Sequence, residues 1–205
     1  MKKIRRFTLV ELLAVIAIIA ILSGIGFGAY TFANTRAKES ATEALLKQLE
    51  AGLEGFHTKN GYYPQCSGKK FATVIFKFNS AGVPEKIGFG STETAGCVLN
   101  YNTADSPGRK QRLENEIFNS FARSLDIPTI RKHLNADGEL EDAWGVKIYY
   151  RSPGEFKKGG YDLVSAGPDG EFSEDKKTAA DLDSLTVGKF RDDDGTRRCD
   201  DLFNF

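Results

Sequence analysis

The sequence predicts an α+β protein in which a long N-terminal helix, transmembrane in its first half, packs on a small antiparallel β-sheet head with a long C-terminal loop region. Two observations indicate the helix. Residues 12–33 form an uncharged run of 22 residues, and residues 41–56 repeat apolar side chains at spacings of three and four. In addition, the 21 glycines and six prolines among 205 residues favour a loop-rich, partly β head.

The composition excludes several classes of protein. The 28 basic residues balance the 28 acidic ones, so no net field attracts nucleic acid and we predict no nucleic-acid partner. His57 and His133 are isolated, and the sequence lacks a nucleophile paired with a base, a convincing metal cluster and a phosphate-binding loop. We therefore expect a protein that is not an enzyme.

The N-terminal segment predicts a single membrane span. Four basic residues lie within the first six positions, and the apolar run follows them. A helix needs about 20 apolar residues to cross the hydrocarbon core, so residues 12–33 can span it, although three glycines weaken the second half of the run. The basic N-terminus favours a cytoplasmic start, with the bulk of the chain outside.

The helix is predicted to continue beyond the membrane. Apolar residues mark one helical face that we expect to pack in the core of the head: Ala41, Leu45, Leu46, Leu49, Leu53 and Phe56. Asn60 and Gly61 supply a stop, and Pro64 prevents the helix from resuming. The chain is thus divided into a basic leader (1–6), a transmembrane helix (7–33), its extramembrane continuation (34–60) and an α+β head (61–205).

Glu11 is an exception within the apolar segment. A carboxylate there costs roughly 2.5–3.5 kcal/mol on insertion scales. It is tolerable if it lies in the first turn of the helix, where the macrodipole and interfacial water favour it. The functional interpretation is that Glu11 pairs with a cation of another molecule.

Residues 7–13, FTLVELL, resemble the N-terminal motif of the type IV pilin and type II secretion pseudopilin superfamily. The resemblance implies that a prepilin peptidase removes the basic leader, that Phe7 becomes a methylated N-terminus, and that Glu11 pairs with the amine of a neighbouring subunit during assembly. The family normally has Gly before the processed Phe, and this sequence has Arg6. Cleavage therefore stays open, and an uncut chain would remain a membrane-anchored monomer.

Within the head, residues 71–78 predict a strand, and Val83 and Pro84 predict a turn. Residues 113–125 predict a short helix with an apolar face that includes Leu113, Ile117, Phe121 and Leu125.

Cysteine spacing favours a disulfide over a zinc site. Cys66, Cys97 and Cys199 show no CxxC spacing. Cys66 and Cys97 flank the segment that contains the predicted strand, and an extracytoplasmic location permits them to pair, which would contribute about 3 kcal/mol. We favour this pairing.

Two C-terminal segments extend the resemblance. Residues 142–154, DAWGVKIYYRSPG, resemble the Asp-Pro-Trp-Gly and strand segment of the major secretion pseudopilin, with Ala143 in place of Pro. Residues 161–170 and the closing residues 200–205 continue the match. Trp144, the single tryptophan, is expected to pack in the core.

In that family a calcium ion ties these segments together through carboxylates and backbone carbonyls, and calcium prefers six to eight oxygens. The resemblance implies the ligands Leu163, Asp169, Asp200 and Asp201, with Asp175 and Asp194 in reserve. Residues 161–205 hold twelve acidic against six basic residues, an excess that favours a bound cation but also suits a solvated acidic surface. Pairing with Arg197 or Arg198 in place of the ion stays open.

The sequence therefore predicts a structural subunit of a type IV pilus-like or type II secretion pseudopilus fibre. Its expected partners are copies of itself or other pilin-like subunits, the prepilin peptidase and an inner-membrane assembly platform. Its expected location is the inner membrane, with the head outside and the fibre in the periplasm or at the cell surface. The alternative is a membrane-anchored binding protein that does not polymerise and uses the cysteine-flanked insertion to hold an external ligand.

Overall fold

The computed structural model describes residues 9–66, 70–90, 97–100, 108–191, 194, 196–197, 199 and 201–204. The chain divides into two compact units, Met1–Lys38 and Glu39–Phe205. The described elements follow in chain order: α1 (Leu9–Asn60), β1 (Ala72–Phe78), β2 (Pro84–Phe89), β3 (Cys97–Asn100), α2 (Arg109–Ala122), α3 (Ile127–Lys132), β4 (Tyr149–Arg151), β5 (Asp162–Ser165), two 3-10 helices (Ala179–Ser184 and Val187–Lys189) and β6 (Leu202–Phe203).

The first unit contains the N-terminal part of α1. This helix includes a stretch that is long and apolar enough to cross a membrane, and none of that stretch is buried within the protein. Leu13 is 51% exposed, Ile21 64% and Phe32 66%. Such an apolar surface requires a lipid or protein environment to cover it, because water does not solvate it favourably.

In the second unit, the continuation of α1 packs in the core of the head, as predicted. Leu45, Leu49, Leu53 and Phe56 are each at most 1% exposed. The prediction was wrong at Ala41, which is exposed. The adjacent Thr42 is buried instead, because it lies on the face of Leu45 and Leu49, and its Oγ1 accepts the backbone N–H of Ala143 at 3.1 Å.

Helix α1 ends at the predicted place. Gly61 adopts a φ of 78°, a conformation that glycine reaches without the steric cost of a Cβ atom. Its N–H donates to the carbonyl of His57 at 2.7 Å. The last turn of the helix is therefore closed by the expected stop signal.

The six strands form one sheet in the order β3-β2-β1-β4-β5-β6. All neighbouring pairs are antiparallel; for example, Val74 is opposite Phe89 and Tyr150 is opposite Leu163. The pairing of Ala72 with Tyr150 joins the segment after Cys66 to the C-terminal strands. The long N-terminal helix and the small antiparallel sheet confirm the predicted fold class.

The sequence pattern predicted β1 but neither β2 nor β3. Pro84, which was predicted to lie in a turn, is the first residue of β2. The turn lies just before it, where Asn79 Oδ1 accepts the N–H groups of Ala81 and Val83 at 3.0 and 2.9 Å. A proline is tolerated at the first position of a strand, since it has no N–H to contribute to the ladder.

Helix α2 also differs from the prediction at its ends. It begins at Arg109, four residues before the predicted start. Phe118 and Phe121 form its buried face, whereas Leu113, which was expected on that face, is 59% exposed. Gly55 of α1 allows the backbone of α2 to approach, because a Cβ atom there would lie 2.9 Å from the carbonyl oxygen of Ser120.

The C-terminal part of the sheet is buried on both faces. Along β5, Leu163 belongs to the core cluster that contains the leucines of α1, and Val164 belongs to a second cluster. The second cluster is formed largely by the segment between β5 and β6 and contains Ala166, Phe172, Leu182, Leu185 and Phe190. Adjacent side chains on a strand point to opposite faces, so β5 joins two cores.

Replacement of Leu49 by Ala should destabilise the head by about 2–5 kcal/mol, because Leu49 is 1% exposed and its removal leaves a cavity. The matched control is Leu113→Ala, which removes the same atoms from a side chain that is 59% exposed and should change stability by less than about 0.5 kcal/mol. Denaturant unfolding of the detergent-solubilised protein, followed by circular dichroism, measures both. Equal losses in the two variants would contradict the assigned core.

Candidate functional site

The N-terminal assembly site is described only in part. Arg6 and Phe7 lie outside the described residues. Glu11 is exposed and lies in the first turn of α1, where the helix macrodipole favours a carboxylate. This is the position at which a carboxylate is tolerable within the apolar segment. The pairing of Glu11 with a neighbouring subunit stays a prediction.

Leu163, a proposed calcium ligand, is bound to the C-terminal segment by Asn204. The N–H of Leu163 donates to Asn204 Oδ1 at 2.7 Å, and its carbonyl accepts the N–H of Asn204 at 3.2 Å. Asn204 Nδ2 also donates to the carbonyl of Tyr161 at 3.3 Å. The side-chain amide of Asn204, a residue with no predicted role, thus supplies both an acceptor and a donor that join this segment to the start of β5.

The aspartates that are predicted to bind calcium lie in different surroundings. Asp169 Oδ1 accepts the N–H of Glu171 at 3.0 Å, and its Oδ2 lies 3.7 Å from the Lys176 ammonium. Asp201 is fully buried and its Oδ2 accepts the N–H of Ser173 at 2.6 Å. Asp200 lies outside the described residues. Within the part of the chain that the structure describes, no three His, Cys, Asp or Glu residues form a group that could hold a metal ion.

Lysines of the C-terminal loop region compensate part of its acidic charge. Lys189 Nζ lies 3.2 Å from Asp175 and 3.4 Å from Glu174, and the hydrogen bonds that it donates to Asp175 and Glu174 raise its pKa. Of the reserve ligands, Asp175 is thus engaged with Lys189, and Asp194 Oδ1 accepts the N–H of Thr196 at 3.0 Å.

Arg197 connects the C-terminal segment to α1. Its Nη2 lies 3.8 Å from Glu39 and 3.3 Å from Glu43, and its Nη1 donates to the carbonyl of Asp201 at 3.2 Å. Arg197 was considered as a replacement for calcium in the acidic C-terminal segment. Its carboxylate partners Glu39 and Glu43 belong instead to α1, which the sequence did not suggest. Arg198 lies outside the described residues.

A buried ion pair that the sequence pattern did not predict supports β4 and β5. Arg151 is 1% exposed and donates from Nε and Nη2 to Asp162 Oδ2 at 2.9 and 2.6 Å. The rings of Phe71 and Phe156 lie 4.2 and 4.5 Å from its guanidinium carbon. Asp162 also accepts N–H groups of the loop that precedes β5, from Glu155, Phe156 and Lys157. The pair therefore fixes this loop as well as the two strands.

The Asp-Ala-Trp-Gly motif forms a turn whose acceptor is Asp142. Its Oδ1 accepts the N–H groups of Trp144 and Val146 at 2.8 and 2.9 Å, and its Oδ2 accepts the hydroxyl of Ser165 at 2.6 Å. Trp144 is partly buried and packs against the core, in agreement with its predicted role. An aspartate two residues before Trp144 is the sequence signal of such a turn.

The favoured cysteine pair is described at one of its two residues. Cys66 is buried, and its Sγ lies 3.5 Å from the carbonyl oxygen of Tyr150. The side chain of Cys97 lies outside the described part of the chain. The disulfide stays a prediction.

Replacement of Asp162 by Ala should destabilise the head by about 3–5 kcal/mol, because it leaves the Arg151 guanidinium buried without its main partner. The control is Glu155→Ala, which removes the other carboxylate bound by Arg151. Because the Glu155 side chain is 58% exposed, its loss should cost less than about 1 kcal/mol. Thermal and denaturant unfolding would compare the variants, and a loss for Asp162→Ala no larger than for the control would contradict the proposed role.

Two models of known families match the chain, one at its N-terminus and one in its C-terminal half. The family model for the prokaryotic N-terminal methylation motif matches residues 1–27, and the model for type II secretion system (T2SS), protein G, matches residues 125–184. No curated protein and no solved structure matches the chain. The first match covers the leader, Phe7 and Glu11, and the second covers α3, the Asp142 turn, β4 and β5. Together with the long apolar helix and the antiparallel sheet, these matches support a type IV pilin-like protein or type II secretion pseudopilin.

Proposed function

We propose that this protein is a structural subunit that polymerises into a type IV pilus-like or type II secretion pseudopilus fibre. The observation that carries the proposal is the dual character of α1. Its apolar side chains are exposed in the N-terminal part, from Leu9 at 75% to Phe32 at 66%, whereas the leucines of its continuation are buried in the head. Lipid covers the apolar part of such a helix in the membrane, and the apolar helices of neighbouring subunits cover it once a fibre forms.

In the proposed mechanism, Glu11 sets the register between subunits. Removal of residues 1–6 by a prepilin peptidase would create a new amine at Phe7, which is then methylated. Away from water, a carboxylate and an ammonium attract each other strongly. The carboxylate of Glu11 would therefore take the amine of a neighbouring subunit, and an inner-membrane assembly platform would add subunits in this register.

The proposed location follows from the same features. The basic leader favours a cytoplasmic N-terminus, and the head would then face the extracytoplasmic side. The fibre would extend into the periplasm or beyond the cell surface. The role is structural, and the proposed partners are copies of this chain or other pilin-like subunits.

A membrane-anchored binding protein that does not polymerise is the second candidate function. Arg6 favours it, because the family normally has a glycine where this chain has a bulky cation. An uncut leader would leave no free amine at Phe7 for Glu11 to bind. The two candidates therefore differ in a covalent property of the mature protein.

We expect the protein from native membranes to begin at methylated Phe7 and to occur in sheared fibres. The Glu11→Ala variant should be inserted and stable but absent from the fibre fraction, because it lacks the carboxylate that binds the neighbouring amine. Mass spectrometry of the N-terminus and immunoblots of membrane and fibre fractions measure both properties.

The control for this experiment is Thr35→Ala, a substitution on the same helix outside the predicted span, which should leave processing and assembly unchanged. Retention of residues 1–6 on the membrane-bound protein, with no fibres, would favour the anchored binding protein. Fibres of normal yield from Glu11→Ala would exclude the proposed role of Glu11 while leaving polymerisation intact.

We also propose that the C-terminal loop region binds calcium. Leu163 would contribute its carbonyl, and Asp169, Asp200 and Asp201 would contribute carboxylates, a donor set that suits this ion. Asp169 forms an ion pair with the Lys176 ammonium at 3.7 Å, and the Lys176 side chain is 68% exposed. Such a surface pair is weak, so calcium could replace it at Asp169 without a large loss of stability.

Calcium should raise the melting temperature of the full-length protein in detergent, since a ligand that binds only the folded state stabilises it by about 2.7 kcal/mol at 100 times its dissociation constant. Asp169→Asn should reduce the shift. The control is Asp137→Asn, which changes an exposed aspartate in a turn outside the loop region. Isothermal titration that detects no heat of calcium binding to the wild type would remove the proposal.

A further inference from the structure

Asn135, Glu139 and Lys147 form a polar cluster in the segment between α3 and β4. The Lys147 ammonium lies 2.6 Å from Glu139 Oε2, and Asn135 Nδ2 donates to the same oxygen at 3.1 Å. Glu139 is 9% exposed, so its carboxylate is largely removed from water. An amine and a carboxamide thus meet at one buried carboxylate.

Backbone pairing fixes the three residues relative to one another. On one side of the segment that contains Glu139, the N–H of Asn135 donates to the Glu139 carbonyl at 3.0 Å. On the other side of this segment, Glu141 forms an antiparallel bridge with Lys147. Paired strands place the side chains of one face together. The Asn135 and Lys147 side chains therefore approach the Glu139 carboxylate from opposite sides because of the strand register.

Hydrogen bonds hold and polarise the carboxamide of Asn135. Its Oδ1 accepts the N–H groups of Asp137 and Glu139 at 3.0 and 2.9 Å. Its Nδ2 donates to Glu141 at 2.9 Å as well as to Glu139. Two backbone N–H groups on a carbonyl oxygen stabilise the negative charge that develops there when a nucleophile attacks the carbon. The turn thus presents an activated amide close to the Lys147 amine, since both groups bind the same Glu139 oxygen.

We propose that Lys147 and Asn135 join in an intramolecular isopeptide bond, with Glu139 as the residue that transfers the proton. The neutral Lys147 amine attacks Cγ of Asn135, and a bond forms between Nζ and Cγ. Glu139 takes a proton from the amine and gives it to Nδ2 of Asn135. The bond between Cγ and Nδ2 breaks, and ammonia leaves. The reaction consumes no oxidant, cofactor or second protein.

The charges on the resting pair make this reaction slow. Burial disfavours the ionised form of Glu139, but hydrogen bonds from Lys147 and Asn135 outweigh this effect and lower its pKa. The hydrogen bond to Glu139 raises the pKa of Lys147, whose side chain is 42% exposed. The amine becomes nucleophilic only when its proton moves to Glu139, a step that the burial of this carboxylate assists. The fixed geometry favours the reaction, which needs to occur only once in each chain.

The bond would close a loop from residue 135 to residue 147, which contains the Asp142 turn and Trp144. A covalent closure restricts the unfolded chain, as a disulfide does. The head would therefore resist unfolding more strongly than its non-covalent contacts alone allow. The reaction takes place within one chain, so the inference does not depend on the proposed polymerisation.

Mass spectrometry of the full-length protein, purified in detergent, tests the bond. The wild type should be lighter by one ammonia than its sequence requires, once any removal of residues 1–6 and methylation of Phe7 are counted. A protease that cleaves at the acidic residues between Asn135 and Lys147 should leave two peptides that stay joined. Tandem spectra should place the link at these two side chains.

Conservative variants separate the reaction from an ordinary ion pair. Lys147→Arg keeps a cation beside Glu139, but a guanidinium does not lose its proton to become a nucleophile, so this variant should retain its ammonia. Glu139→Gln should also retain it, because the amide cannot carry the proton. Asn135→Asp should lose one water in place of ammonia. The control Lys158→Arg changes an exposed lysine outside the cluster and should keep the bond.

A wild type of complete mass, even after prolonged incubation at alkaline pH, would overturn the proposal and leave an ion pair beside a turn. A loss of ammonia that maps to Asn60 would also overturn it, because the Asn60-Gly61 pair can form a cyclic imide with the same change in mass. Persistence of the joined peptides in Lys147→Arg would exclude Lys147 as the nucleophile. Circular dichroism of each variant checks that it folds.

Discussion

The burial of β5 on both faces is the constraint on which the rest of the head depends. Leu163 contributes to the core built on α1, and Val164 contributes to the second cluster beneath the long segment between β5 and β6. One strand thus holds together the helix, the sheet and the C-terminal loop region. The antiparallel partners of β5 show the same alternation, since Tyr150 and Leu202 pack in the first cluster while Tyr149 and Phe203 pack against the second.

Buried carboxylates complete this arrangement because each accepts hydrogen bonds from several donors on neighbouring segments. Asp162 binds Arg151 and three backbone N–H groups of the preceding loop. Asp142 holds the turn that contains Trp144 and joins it to Ser165, the last residue of β5. A charge is costly to bury alone, and both sites meet this cost with several donors. Some of the acidic residues of the C-terminal half therefore stabilise the fold itself, whether or not a cation binds to the others.

The same helix serves two environments, and this links the fold to the proposed function. Its N-terminal part offers apolar side chains to lipid or to other helices, and its continuation gives one face to the head.

The sequence by itself determined the features that depend on local order along the chain. The apolar run, the leucine spacing and the Asn-Gly stop predicted α1 to its last residue, because helix periodicity and termination are local properties. The motif around Glu11 indicated the family for the same reason. Tertiary structure alone decided which neighbouring residue faced the core, Thr42 instead of Ala41, and which acidic residues were buried. It paired Arg151 with Asp162 across two strands. It also buried Phe172 and Phe190 of the acidic segment in a second hydrophobic cluster. These outcomes depend on strand pairing between distant segments, and periodicity within one segment carries no information about its partner.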